Sequence, residues 1–185
     1  MWLETLFRKT PALPAQLPDN VKRYFLQQLP HKHTPISDLR FVVFDTETTG
    51  LEEKKGDRLL SIGAIGMKGY RVDLNDTFYA VVNPDNHCAP AETVKVHFIT
   101  PSETIAAPSV EEVLPKFLEF IKADVLVAHH ALFDIGFIGS EMKRLTASRS
   151  STTSLIRLNW RTQLIPPNNL RNTYCSIRTE WKSMN

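Results

Sequence analysis

The residues best equipped to do chemistry are Asp45 and Glu47, two apart at the end of the apolar run Phe41-Val42-Val43-Phe44. In extended backbone, side chains at i and i+2 share one face, so these carboxylates can converge on one cation while Thr46 points away. An isolated Asp-x-Glu usually marks a solvated strand end or turn. Here the pair sits in a longer word, Asp45-Thr46-Glu47-Thr48-Thr49-Gly50, whose five fixed residues would arise by chance with odds on the order of 10⁻⁴ in a chain of this length.

The elements that must carry this pair are legible around it. Arg40 to Asp45 reads as a buried strand, and RLLSIGAIGM and DTFYAVVNP follow as further strands with Lys68-Gly69-Tyr70 as the turn between them. Short connections imply an antiparallel three-strand meander. Ser109-Val110-Glu111-Glu112 is a capping box that opens a helix through Ile121, with a bend expected at Pro115. ADVLVAHH is a further buried strand, followed by a helix from about Leu132 to Leu145. The sum is an α/β layered sheet.

The flanks differ from this body. Residues 1–39 hold five of the twelve prolines and two short amphipathic pieces, one around Trp2, Leu3, Leu6 and Phe7 and one carrying Val21, Phe25 and Leu29 behind an Asp19/Asn20 cap. They are expected to form a helical appendage to a body spanning 40–145. In residues 142–185, 17 of 44 are Ser, Thr or Asn and glycine is absent. Eight Lys/Arg against one acid give that tail +7, whereas residues 1–141, with 14 basic and 19 acidic side chains, carry −5. A net +2 therefore hides an acidic body with an atypical basic tail, and charge alone does not mark a phosphate-binding stripe. No apolar run reaches the roughly 20 residues of a membrane helix, and the N-terminus lacks a signal core, so a cytoplasmic protein is expected. Cys88 and Cys175 match no metal spacing. No phosphate-cradling glycine loop or nucleophilic Ser/Cys–His word appears, which argues against NTPase and acyl-transfer chemistry.

The word from Asp45 to Gly50 resembles the first motif of the DEDD 3′–5′ exonucleases, in the group of the DNA polymerase III epsilon subunit. Leu60-Ser61-Ile62-Gly63-Ala64 and Val82-Asn83-Pro84 resemble that family's second and third strands. Val96-His97-Phe98-Ile99-Thr100 resembles its His-Gly-Ile-Thr stretch, with Phe98 in place of glycine. His129-His130-Ala131-Leu132-Phe133-Asp134 resembles its second motif, with His130 where asparagine is usual. The resemblance implies a ribonuclease H-like exonuclease fold: a mixed sheet containing the meander, flanked by helices. It also implies Asp45, Glu47 and Asp134 as catalytic residues and ligands of two Mg²⁺ or Mn²⁺ ions, which would hold attacking water and leaving oxygen. Thr48, Gly50, Leu51, His97 and Phe133 are the implied substrate contacts, and a single-stranded DNA 3′ end the implied substrate. RNA ends and a DNA polymerase subunit are further implied partners.

One part of the family pattern is missing. Its third motif is a histidine, the general base, followed five positions later by an aspartate. All six histidines of this chain (31, 33, 87, 97, 129 and 130) precede Asp134, which is itself the last aspartate. His129 and His130 are expected to shape the strand end, not to replace that base. Two origins compete: a binding-only relative, and a reading frame disrupted in or just after Arg144–Ser150. Reading codons from the third base, Ser154–Arg161 permits Ile-Asp-Thr-x-x-Leu-Ala, text the family carries after its second motif. The expected function is thus a proofreading- or repair-type 3′–5′ exonuclease in impaired form, with a non-catalytic end-binding module as the alternative.

Overall fold

In the computed structural model, residues 17–147 are described, apart from 29, 32, 86 and 88. Strand β1 (Arg40–Thr48) has Phe41, Val42, Val43 and Phe44 all buried, the pattern of a strand covered on both faces. Strand β2 (Leu59–Lys68) pairs with it antiparallel, β3 (Arg71–Val81) pairs antiparallel with β2, and β4 (Val125–Val127) runs parallel to β1. The sheet is therefore mixed, in the order β3-β2-β1-β4. The predicted meander is present, with Gly69 in the turn between β2 and β3 at φ 58°, where a side chain would be strained.

Five helices accompany the sheet among the described residues: α1 (Asp19–Leu26), α2 (Ala91–His97), α3 (Pro101–Ala106), α4 (Val110–Ile121) and α5 (Ala131–Ala147). Helix α4 opens on the predicted box, with the Ser109 N–H donating to Glu112, and runs through Pro115 without ending. Its Val113, Leu114, Phe117, Leu118 and Ile121 meet Val42, Phe44, Ile62 and Ala64 of the sheet in the main core. Helix α1 begins at Asp19 behind Pro18, and no side chain caps it, so the expected Asp19/Asn20 cap is corrected. Asp19 instead lies in the first turn, where its charge suits the helix dipole. Leu17 and Val21 enter the same core as α4, so this part of the proline-rich segment docks on the body. Trp2, Leu3, Leu6, Phe7, Leu29, both cysteines and the part of the basic tail beyond residue 147 lie outside the described residues. Helices α2 and α3 were not foreseen: they are short, and the Thr100-Pro101-x-Glu103 box that opens α3 is their one local signal.

Helix α5 is buried along Ala131, Asp134, Phe137, Ile138, Glu141, Met142 and Leu145, a helical stripe interrupted by two acids. Glu141 accepts from Arg58 Nε at 2.7 Å and Nη2 at 3.2 Å, and from Arg144 Nη1 at 3.0 Å. Asp85 bridges the same two arginines, at 3.0 Å from each. Arg58, immediately before β2, is thereby fixed to α5. Burial pushes the Glu141 carboxyl up while Arg58 pulls it back down. Removing one member of such a buried pair strands the other, so Glu141→Ala should lower the unfolding free energy in urea by about 3 kcal/mol or more. Arg58→Met/Glu141→Leu should recover most of that loss, and a single-variant loss below about 1 kcal/mol would contradict the fastening role.

Candidate functional site

Strand alternation carries Asp45 and Glu47, both partly buried, at the carboxyl end of β1. Strand β4 pairs only with Phe41, Val42 and Val43, so the β1 edge beyond Val43 has no strand partner there. Asp134, in the first turn of α5, fills that edge: its Oδ1 accepts from the Thr46 N–H at 3.0 Å and from Thr46 Oγ1 at 2.7 Å. Thr46 does point away from its acidic neighbours, yet it is the residue that takes hold of the third carboxylate. Sequence reasoning missed this role, although a signal existed. Val42 and Phe44 fill the core face of β1, and Thr46 puts a hydroxyl where that alternation calls for an apolar side chain.

Burial, first, and the negative charge of Asp45 push the Asp134 carboxyl up to about 6, against the two Thr46 hydrogen bonds that lower it. Tyr79 on β3 stands near Glu47: its hydroxyl is raised by burial and then by the charges of Glu103 and Glu47. Across the sheet, Asp45 pairs with Gly63 and Gly63 with Tyr79, so this tyrosine, also unforeseen, lies in register with the first acid.

The expected substrate contacts fall in two groups. Thr48 ends β1 and Gly50 belongs to the loop after it: Thr48 Oγ1 donates to the Gly50 carbonyl at 2.6 Å, and a Cβ on Gly50 would strike the Asp57 carboxylate. Thr49 and Arg58 close the loop through the Thr49 N–H to the Arg58 carbonyl at 2.8 Å. Leu51, at its tip, is exposed. Phe133 packs on the core beside Phe137, with ring centroids 4.9 Å apart. His97 ends α2, its Nδ1 accepting from the Ile99 N–H at 3.0 Å, which puts the proton of the neutral ring on Nε2. That Nε2 is buried with no hydrogen-bond partner among the described residues, and burial holds the His97 pKa low. His129 and His130 form the turn between β4 and α5, with the His130 carbonyl accepting the Phe133 N–H at 2.7 Å.

The model of the exonuclease family designated RNase_T matches residues 42–161, more than half of the chain. The chain belongs to the exonuclease family. The match passes the change of composition near residue 145, so that change does not coincide with the end of the family likeness. Over 112 residues, 60% of the chain, it is 46% identical to a DNA polymerase III PolC-type protein of Caldanaerobacter subterraneus subsp. tengcongensis, of which it covers 8%. Over 110 residues it is 36% identical to a DNA polymerase III epsilon subunit of Rickettsia typhi, covering 60% of this chain and 47% of that one. The chain thus spans less than half the length of these relatives. In fold, 58% of the chain matches 24% of E. coli exonuclease I, solved with a dA16 oligonucleotide, at a TM-score of 0.52 and 18% identity. The expected ribonuclease H-like exonuclease fold is the one observed.

The donors at the end of β1 fit a divalent cation in kind: hard carboxylate oxygens, two of them close enough to oppose each other's ionisation. Among the described residues, no group of three or more His, Cys, Asp or Glu side chains is gathered so as to hold a metal ion. The three acids are brought to one end of the sheet without forming a closed ligand set. A carboxyl raised from its ordinary range to about 6 binds its proton more tightly folded than unfolded. The fold therefore loses stability as pH rises from about 4 to about 6 and does not regain it above. In metal-free buffer at pH 7.5, Asp134→Asn, which still accepts from Thr46, should be more stable than the natural chain by about 2–3 kcal/mol. The gain should vanish near pH 4, and equal stability of the two proteins at both pH values would contradict the assignment.

Proposed function

We propose that this chain is a divalent-metal-dependent 3′–5′ exonuclease of single-stranded DNA ends, of the proofreading or repair type, and that these 185 residues perform it in impaired form. The docking of Asp134 against Thr46 beside Asp45 carries the reading, because it unites two sequence-distant acids that share no structural need for each other. Asp45, Glu47 and Asp134 would hold the cation, which when bound polarises the scissile phosphate and lowers the pKa of water. Asp134 must release its proton to serve, which the approach of positive charge favours. The closed loop from Thr48 to Arg58 offers a rigid backbone edge for the terminal sugar and base, with Leu51 and Phe133 as apolar walls. His97 offers a neutral N–H donor.

The impairment rests on one absence within the sequence. No histidine follows Asp134, and the two that stand five positions before an aspartate, His33 before Asp38 and His129 before Asp134, lie ahead of or within the stretch that resembles the second motif. Loss of a general base costs about 10²- to 10⁴-fold in rate. The same absence favours a second reading, a non-catalytic module that binds nucleic-acid ends or accompanies a polymerase.

The test uses the full chain, a 5′-labelled single-stranded DNA, and Mg²⁺ or Mn²⁺. Slow stepwise shortening that Asp45→Ala abolishes is expected. Metal-dependent binding of the oligonucleotide without shortening would replace this reading by the end-binding one. Shortening that persists in Asp45→Ala would remove the carboxylates from the mechanism.

A further inference from the structure

Phe98 caps the end of α2 with a backbone that glycine would suit, and its side chain has no packing role that accounts for a phenylalanine there. It follows α2 with φ 60° and ψ 12°, left-handed, where glycine is favoured and a bulky side chain carries a steric cost of about 1 kcal/mol. Such a cost is normally returned by packing, yet Phe98 is 75% exposed. The backbone around it is fixed on both sides. Its own N–H donates to the Val94 carbonyl at 2.8 Å, and the next N–H, from Ile99, is held by His97 Nδ1 at 3.0 Å. Ile99 is buried, which anchors the turn from below. The ring is thus held out on a rigid turn, not left on a loose loop.

The turn borders the carboxylate end of the sheet. Thr100, two residues on, is bound to Glu103 through both its N–H and its hydroxyl, and the Glu103 and Glu47 charges both act on the Tyr79 hydroxyl. Lys95, exposed three residues earlier in the last turn of α2, adds a positive charge to the same turn. A flat, exposed aromatic face next to a cation and near a cluster of acids suits a base of a single-stranded nucleic acid, with the phosphate toward the lysine.

We propose that Phe98 is a base-stacking platform for the single-stranded nucleic acid that enters the site, an inference that rests on the function proposed above. Stacking is indifferent to sugar identity, so both DNA and RNA are admitted at this contact and other groups must discriminate between them.

The test measures anisotropy of labelled dT12, rU12 and an abasic dodecamer with the full chain in Ca²⁺ in place of Mg²⁺. Phe98→Gly should weaken dT12 and rU12 about 10-fold or more, while Phe98→Tyr retains affinity and Phe98→Leu loses it. On the abasic strand, the natural chain and Phe98→Gly should bind alike. The melting temperature of Phe98→Gly should not fall, because the substitution relieves strain. Equal dT12 binding by natural, Leu and Gly proteins would overturn the platform while leaving the exonuclease reading intact. A lowered melting temperature would make the ring structural and would overturn it too. Failure of the natural chain to bind any of the three strands would overturn both readings.

Discussion

The arrangement depends on helix α5 carrying two acids on its buried face. Asp134 and Glu141 are seven residues apart, two turns along the same stripe, and each is nearly inaccessible. A buried carboxylate without a partner is strongly destabilising, so each acid must find donors, and those reached from the sheet lie in different places, on β1 and just before β2. Asp134 takes Thr46 on β1, and Glu141 takes Arg58 at the entrance to β2. Apolar packing alone would let α5 slide or roll over the sheet at small cost, since Phe137, Ile138, Met142 and Leu145 are tolerant partners. Two polar anchors 10 Å or so apart along the helix admit one register.

That register also sets the loop between the anchors. Thr46 and Arg58 bound the segment containing Thr48, Gly50 and Leu51, and Thr49 and Arg58 close it from within. The Gly50 position has no room for a side chain because Asp57 folds back to accept the Glu52 N–H. A loop this constrained presents the same backbone edge to every ligand, which is what positioning a polymer end requires.

Much of this could be read from residue order. The four apolar residues before Asp45, the Gly69 turn, the Ser109 box and the 3.6-residue stripes of α4 and α5 are local features, and their elements stand close to where those features place them. Asp134 could be singled out only through family likeness, since nothing local distinguishes it from Asp124 or Asp85. The parts that escaped depend on contacts distant in sequence. Thr46 acquires its task only because β4 stops at Val127 and leaves its N–H to α5. Arg58 looks like a surface arginine beside Asp57 until Glu141 arrives 83 positions later. Even so, Glu141 falls on the apolar stripe of its own helix, and an acid there is a sequence-level demand for a buried cation.

The two acids differ in how that demand is met. Glu141 has a guanidinium against it, and its charge is balanced within the protein. Asp134 accepts from the Thr46 hydroxyl and backbone N–H, while burial and then the charge of Asp45 act against its ionisation, which is why its proton is held to about pH 6. One helix face thus contains a neutralised carboxylate that fixes the frame and a second whose ionisation the frame opposes. Burial and the helix N-terminus act on Asp134 in opposite senses, and burial prevails. The unfavourable ionisation is stored at the one position where incoming positive charge would relieve it, while the Glu141 anchor keeps α5 from moving away to relieve it first.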